Sequence, residues 1–327
     1  MLNLRELFHI ANNIVKNRSS IKAIYQKLTK NMKILNNRKI GIRKKKYPQE
    51  KEITDDCLKK LNQGTPFIAG KIGGAELMAL EYEDHWLKLS LIKKWSWERP
   101  AQRLSNNAGF FPVRKNAFLR WATIMKKSIA ASDFLCAWQT DSFLQLYEKC
   151  LIEELAPKSL SITNEMLGWG IVPFISHLNW LVISPFEMTM RKQLPKMKEV
   201  YDPNGVLTIN WDHLGKTCQF LRCPFQSHLE PSPYSSWEDG LEKITKEVSS
   251  RNFDIALIGA GAWSLPLATR IKQMGKSAIH MGGELQIIFG IKGKRWDNHA
   301  IYNAAWVRPA AEETPRNISL VEDGCYW

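Results

Sequence analysis

The chain has 327 residues, of which 44% are hydrophobic and 24% are charged, and its formal net charge is +14. This composition allows a sizeable core and excludes the fibrous and disordered classes. No run of about 18 apolar residues is present, so no transmembrane helix is predicted. The first residues lack the pattern of a cleavable secretory signal, and a cytoplasmic location is therefore expected.

The positive charge is concentrated at the start of the sequence. Residues 1–50 hold thirteen lysines and arginines but only two acids. Residues 1–48 are predicted to form a basic amphipathic helical extension, and residues 49–327 a single folded domain. Three interpretations of the extension stay open: a solvated helix, peripheral attachment of residues 1–46 to an anionic inner membrane, and nucleic-acid binding. The last is disfavoured, because no helix-turn-helix, zinc or RNP-type pattern accompanies the charge.

Cysteine and tryptophan usage is informative. The six cysteines include no CxxC pair, which predicts reduced structural thiols. The thirteen tryptophans are about three times the ordinary number. Their rings suit sugars and bases, although core packing is the default explanation for any one of them.

Helical and strand patterns alternate after residue 48. Helices are predicted at residues 53–61, 75–82, 117–128, 186–200, 237–249 and 264–274. Strands are predicted at residues 66–72, 133–138, 158–163, 180–184, 206–209, 253–258 and 277–281. The fold class is therefore α/β: a Rossmann-like, mostly parallel sheet with flanking helices. Ligands of such sheets bind beyond the carboxyl ends of the strands.

The turn Gly259-Ala260-Gly261 follows one of these strands and precedes a helix. It resembles the start of a dinucleotide fingerprint, but Ser264 occupies the place of the third glycine and no acid follows the next strand. NAD(P) is therefore disfavoured. Backbone N–H groups at such a turn suit a nucleotide diphosphate, so Gly259, Gly261 and Ser264 are predicted nucleotide contacts. The alternative is a tight packing turn without a ligand.

A second glycine turn carries Lys71-Ile72-Gly73-Gly74-Ala75-Glu76. This segment resembles the Arg-x-Gly-Asp-Gly-Glu segment of the bacterial GT-D glycosyltransferases, a family once catalogued as a domain of unknown function. In that family the two acids hold a divalent metal beside a nucleotide-sugar in a Rossmann-like domain. By this resemblance Lys71 stands for the arginine, Glu76 is the second acid and metal ligand, and Gly74 replaces the first acid. Residues 280–283 take the place of a later Asp-Ile-Gly-His segment.

The resemblance implies a glycosyltransferase that uses a nucleoside-diphosphate sugar, with Mn²⁺ or Mg²⁺ as the expected metal. It also implies a surface-glycan acceptor, such as capsule, lipopolysaccharide, glycoprotein or a lipid-linked glycan. The basic extension would then keep the enzyme at the inner membrane. The alternative function is a non-catalytic nucleotide- or glycan-binding partner of a polysaccharide assembly complex.

Two groups of side chains are expected to carry the chemistry. Departure of a diphosphate requires fixed positive charge, because a lone Glu76 is a poor magnesium site. The predicted cations are Lys71, Lys292, Lys294 and Arg295, with a solvated basic loop as the alternative for the last three. Gly73 and Gly74 are predicted donor contacts at the first turn.

A transferase of this type also needs a base for the acceptor hydroxyl, and the candidates are Glu76, Glu284 and His280. Glu76 has the alternative role of a first-turn acid at a helix N-terminus, and His280 that of a packed core residue. Asp141 and Asp212, each after a strand-like run, are candidate replacements for the missing metal ligand.

Overall fold

A computed structural model gives the positions of most residues after the predicted extension. It describes residues 50–89, 97–139, 142–156, 160–161, 167–201, 209–225, 229–298 and 302–327. All of these except Leu89 belong to one compact unit, Pro48–Lys88 with Trp95–Trp327. The predicted extension, residues 1–48, lies outside the described residues, as does most of the predicted strand at 206–209.

The described residues form a seven-stranded sheet in which every pairing is parallel. Its strands in chain order are β1 (Ile68–Lys71), β2 (Phe134–Cys136), β3 (Leu160–Ser161), β4 (Trp180–Ser184), β5 (Gln219–Arg222), β6 (Ile255–Ile258) and β7 (Ser277–His280). Their order across the sheet is β3-β2-β1-β7-β6-β4-β5. The predicted Rossmann-like α/β class is therefore confirmed.

Helices connect the strands and flank the sheet. The first six are α1 (Glu50–Asn62), α2 (Gly74–Leu89), α3 (Glu98–Ala108), α4 (Lys115–Ala131), α5 (Ser142–Leu155) and α6 (Leu167–Ile175). The others are α7 (Glu187–Gln193), α8 (Met197–Tyr201), α9 (Trp211–Thr217), α10 (Trp237–Ser249), α11 (Ser264–Gln273) and α12 (Glu284–Ile288).

Both faces of the sheet are covered, which explains why its central strands are apolar throughout. Residues at alternate positions, Val182, Leu257 and Ile279, pack with α1 and α6 in one core cluster. The intervening residues of these strands are buried on the opposite face, because successive side chains of a strand point to opposite sides. On that face α11 packs against α4 and α10.

The predicted helix at residues 186–200 is wrong in its continuity. The chain instead forms α7, a 3₁₀ turn at Leu194–Lys196, and α8. Pro195 lies in that turn, and proline both lacks the N–H and clashes with the preceding helical turn. Ile209, the described end of the predicted strand at 206–209, is not in a strand. Strand β5 and helices α3, α5, α6, α9 and α12 were not predicted.

Two further sequence predictions bear on the whole chain. The six cysteines are all free thiols, and Cys57 and Cys223 are buried. Within the described residues, no helix combines the length and the apolar character needed to cross a membrane.

Strands β1 and β7 approach closely at the centre of the sheet. Ala69 pairs with Ile279, so the next residue, Gly70, lies beside His280. A Cβ atom on Gly70 would stand 2.8 Å from the Cβ atom of His280. Only glycine allows this approach without moving a strand.

We therefore predict that Gly70→Ala lowers the free energy of unfolding by about 1–3 kcal/mol, the usual cost of overpacking a core. Gly215→Ala in α9 is the matched control, because an added Cβ there meets nothing within 4 Å. The control should be neutral or stabilising by up to ~1 kcal/mol. Urea denaturation measures both changes, and an equal effect of the two substitutions would contradict the close approach.

Candidate functional site

A cavity of about 450 Å³ opens at the carboxyl ends of the strands. The turns that follow β1, β4, β5, β6 and β7 all line it, together with Trp138 after β2. This is the edge at which parallel α/β sheets bind their ligands. The chain's last described segment closes one side through Glu322, Tyr326 and Trp327.

Lys71 is the last residue of β1 and projects into this cavity. Its Nζ lies 2.5 Å from Oε1 of Glu284 and 5.2 Å from the centroid of the Trp138 ring. The Trp138 ring is itself fixed, because its indole N–H donates to the carbonyl of Ile72 at 2.7 Å. The lysine therefore occupies a defined place at the end of the central strand.

The loop that carries Trp138 is held by a buried acid. Glu148 in α5 accepts a hydrogen bond from the backbone N–H of Gln139 at 3.1 Å. Burial raises the pKa of the Glu148 carboxyl to about 7, and hydrogen bonding to the backbone of this loop opposes the rise. Glu148 thus positions the loop that carries Trp138, although Glu148 itself does not line the cavity.

Glu76 lies in the first turn of α2, and its carboxylate folds back over Gly73. A Cβ atom on Gly73 would collide with this carboxylate at 2.1 Å, so the arrangement depends on glycine. Glu76 is only 5% exposed but lines the cavity. Burial raises the pKa of its carboxyl from 4.5 to about 7, a hydrogen bond from its own backbone N–H opposes this, and the charge of Glu322 adds to it.

His280, at the end of β7, is buried beside Lys71. Its Nδ1 lies 2.8 Å from the carbonyl oxygen of Lys71, and since a carbonyl only accepts, Nδ1 carries the proton. Burial and the charge of Lys71 lower the pKa of His280 to about 3. The imidazole is therefore neutral near pH 7, and its hydrogen bond fixes the end of β1.

The glycine pair after β7 lies against Lys71 and against the aromatic ring that Arg295 contacts. Gly282 has a left-handed backbone (φ +62°), and a Cβ atom there would lie 3.5 Å from Cε of Lys71. A Cβ atom on Gly283 would lie 2.7 Å from the Tyr326 ring. The Arg295 guanidinium lies 4.9 Å from the centroid of that same ring. Lys71 thus lies beside Gly282, and Arg295 lies over the ring that packs against Gly283.

Arg295 is the member of the predicted basic segment that lines the cavity. It forms an ion pair with Glu322 and donates to the sulfur of Cys325 at 3.2 Å. Lys292 and Lys294 do not line the cavity. The Lys292 ammonium lies over the Tyr302 ring at 5.5 Å, and that of Lys294 lies 3.3 Å from the carbonyl of Asp323.

The turn after β6 is tightly packed against other backbone. A Cβ atom on Gly259 would lie 2.6 Å from the carbonyl oxygen of Gly282, and one on Gly261 would lie 2.5 Å from that of Ala108. Both glycines still line the cavity. The buried Ser264 hydroxyl accepts from the N–H of Ala260 at 2.9 Å, so it caps the turn and does not line the cavity.

The carboxylates of the cavity do not fit a divalent cation. Glu284 is engaged by Lys71 and Glu322 by Arg295, while Glu76 is buried and only partly ionised near neutral pH. Hard cations such as Mg²⁺ need several charged or carbonyl oxygens together. Among the described residues, no group of three or more His, Cys, Asp or Glu side chains could hold a metal ion.

Asp212 and Asp141, the two candidate replacements for the missing metal ligand, give no further support for a metal site. Asp212 pairs with Lys198 at 2.7 Å on an exposed surface and does not line the cavity. Asp141 lies outside the described residues.

Sequence reasoning missed several residues of the site. Trp138 ends the predicted strand at 133–138 and could have been included for its place at a strand end. Glu322, Tyr326 and Trp327 belong to a segment predicted only as irregular, and no local pattern marks their approach to the cavity. The aromatic wall formed by Phe186, Phe225 and Trp327 was also missed; its ring centroids are 5.4–5.6 Å apart.

No family model matches this sequence, and neither a curated protein nor a solved structure matches the chain. Function is therefore inferred from the cavity and its side chains.

Glu76 should make stability depend on pH. Its folded pKa of about 7 lies above the ordinary 4.5, so this carboxyl contributes stability that is fully present below the unfolded pKa and is lost as pH rises through the folded pKa. Glu76→Gln removes the titration. The free energy of unfolding of the variant, relative to the wild type, should therefore rise by up to ~3 kcal/mol between about pH 5 and about pH 8.

Urea denaturation across this pH range measures the difference. Glu242→Gln serves as the control, because Glu242 is an exposed acid paired with Arg270 on the surface. A difference between Glu76→Gln and the wild type that stays constant with pH would show that the buried carboxyl does not titrate in this window.

Proposed function

We propose that the protein is a glycosyltransferase that takes its sugar from a nucleoside-diphosphate sugar. One observation carries the proposal: an acid with a pKa of about 7, Glu76, shares a cavity with three cations, Lys71, Arg103 and Arg295. A base and a positively charged site for a leaving group are the two requirements of this reaction.

The cations suit the departing diphosphate. In sugar transfer the bond between the anomeric carbon and a phosphate oxygen breaks, and the electron pair leaves with the diphosphate. Fixed positive charge stabilises the negative charge that develops on that oxygen. Lys71 supplies an ammonium and Arg295 a guanidinium that binds phosphate through two parallel hydrogen bonds. Because the carboxylates do not fit a divalent cation, these side chains carry that role.

Glu76 suits the acceptor. The acceptor hydroxyl must lose its proton as its oxygen bonds to the anomeric carbon, and a base works best when its pKa lies near the working pH. Glu76 meets this condition. His280, with a pKa of about 3, is a much weaker base, and its hydrogen bond to Lys71 gives it a structural role.

The aromatic lining suits a sugar. Trp138, Trp296 and Trp327 all line the cavity, and the apolar faces of sugar rings pack on aromatic rings. In the family that the Lys71–Glu76 segment resembles, acceptors are surface glycans, and we extend the proposal to that acceptor class. The extension also includes a cytoplasmic location, with residues 1–46 binding the anionic inner membrane.

The first test is a thermal-shift panel of UDP-, GDP-, CMP- and TDP-linked sugars, with and without Mn²⁺. We expect at least one nucleoside-diphosphate sugar to raise the melting temperature, since a ligand that binds only the folded state stabilises it. The rise should not require Mn²⁺. If no nucleotide or nucleotide-sugar changes the melting temperature, the proposal is wrong.

Substitution of the cations locates the site. Lys71→Met and Arg295→Met should each weaken binding of the active donor by at least about tenfold, because a hydrogen bond to a charged group is worth ~1.5–3 kcal/mol. Arg270→Met is the control, since Arg270 forms a surface ion pair with Glu242. Calorimetric titration measures all three. Equal affinities in the three variants would place the donor elsewhere.

A second candidate function is a nucleotide- or glycan-binding partner without catalysis. Gly74 favours this second candidate, because it stands where the family segment has its first acid. A Cβ atom on Gly74 would make only an ordinary contact with the Gln139 amide, at 3.5 Å, so packing does not explain the absence of a side chain there. Donor binding without turnover, together with full activity in cells of Glu76→Gln, would support this candidate over the transferase.

A further inference from the structure

Lys71 and Glu284 form an ion pair inside the cavity itself. Their Nζ and Oε1 atoms are 2.5 Å apart, and the side chains are 19% and 18% exposed. A pair so shielded from water is stronger than one on the surface. In the free protein the ammonium proposed for the diphosphate is therefore already occupied by a carboxylate.

The surroundings of the pair allow its two side chains to separate while the backbone stays in place. The Lys71 carbonyl is held by His280, and the N–H groups of Leu285 and Gln286 donate to the carbonyls of Gly282 and Gly283 at 3.3 and 3.1 Å. The Trp138 ring remains beside the ammonium as a second favourable contact. Rotation of the Glu284 side chain is enough to break the pair.

We propose that the Lys71–Glu284 pair is a donor-operated switch. The diphosphate of the donor replaces the Glu284 carboxylate on Lys71, and the released carboxylate accepts a hydrogen bond from the acceptor hydroxyl beside Glu76. Glu284 is thus a positioning residue for the acceptor that becomes available once the donor is bound, and the donor binds first. This inference rests on the proposed transferase function.

The geometry favours replacement of the Glu284 carboxylate by the diphosphate over a role for Glu284 that only holds Lys71 in position. Glu284 directly follows the Gly282–Gly283 turn, which lies against the Lys71 side chain and against the Tyr326 ring that Arg295 contacts. A diphosphate on this turn would meet both cations. It would also lie against the Glu284 carboxylate unless that carboxylate moved, and two neighbouring negative charges repel. The Arg295–Glu322 pair offers the diphosphate a second exchange of the same kind.

Glu284→Gln distinguishes the two roles by the sign of its effect. If Glu284 competes with the diphosphate, the variant should bind inorganic pyrophosphate and UDP about tenfold more tightly than the wild type, because no charge-assisted pair has to break. If Glu284 only holds Lys71 in position, its removal should weaken binding. Glu242→Gln, which removes a surface carboxylate paired with Arg270, is the control and should bind as the wild type does.

A double-mutant cycle separates exchange from a general charge effect. In the Lys71→Met background, Glu284→Gln should no longer tighten pyrophosphate binding by more than about twofold, since the lysine for which the two anions compete is gone. A full tenfold gain in that background would overturn the switch. Glu284→Asp, with a shorter reach towards Lys71, provides a second variant and should give an intermediate gain.

The results of these binding measurements distinguish a failure of the switch from a failure of the proposed transferase function. Calorimetric titration of the full chain gives the affinities, and circular dichroism verifies that each variant is folded. If the wild type binds pyrophosphate or UDP but Glu284→Gln binds them equally or more weakly, the switch is wrong and the transferase proposal stands. If Glu284→Gln binds more tightly but no nucleotide-sugar is turned over, the transferase proposal fails and the exchange stands. Absence of binding in every variant overturns both.

Discussion

The hydrogen bond between His280 and the Lys71 carbonyl is the contact on which the site depends. It joins the ends of the two central strands, and it forms because Gly70 lets His280 approach β1. Burial keeps the imidazole neutral, so near pH 7 the contact does not vary with protonation. Lys71 consequently leaves the sheet in a fixed direction, and the glycine turn after β7 lies within reach of it. A small residue at one strand position therefore sets the geometry of the charged cavity.

Two of the three cations that line this cavity, Lys71 and Arg295, are paired with carboxylates before any ligand binds, while the third, Arg103, is exposed. Each cation at the glycine turn has its own carboxylate, and the remaining acid is held partly protonated by burial. Such a site avoids the cost of desolvating unpaired charges in the free protein. An anionic ligand therefore gains from Lys71 and Arg295 only by displacing their carboxylates. The affinity for an anionic ligand then depends on the difference in free energy between its ion pairs with the cations and the ion pairs that it replaces. The selectivity depends on how well the shape of the ligand matches both cations.

The sequence predicts the parts of this fold that depend on local pattern. Strands β4, β6 and β7 are buried apolar runs that end at a proline or glycines, and their predicted positions agree with the structure within two residues. Strand β5 was missed because it is an edge strand that begins with Gln219 and ends with the exposed Arg222. Lys71 was identified from the glycine turn at the end of a predicted strand and from the family segment that it resembles. The partners Glu322 and Tyr326 were not, because tertiary packing alone brings residues so distant in sequence to one turn.

The pairing of β1 with β7 has a consequence for how the protein folds. It joins Ile68 to Ala278, which are 210 positions apart in the sequence. Closing so long a loop is entropically costly, and contacts of this kind form late and slowly. Strands β4 to β7 lie together on one side of this pairing and β1 to β3 on the other, so the cavity is complete only when the two halves of the sheet have joined. Occupancy of the cavity would thus report the last step of folding, and a ligand bound there would slow the separation of the two halves.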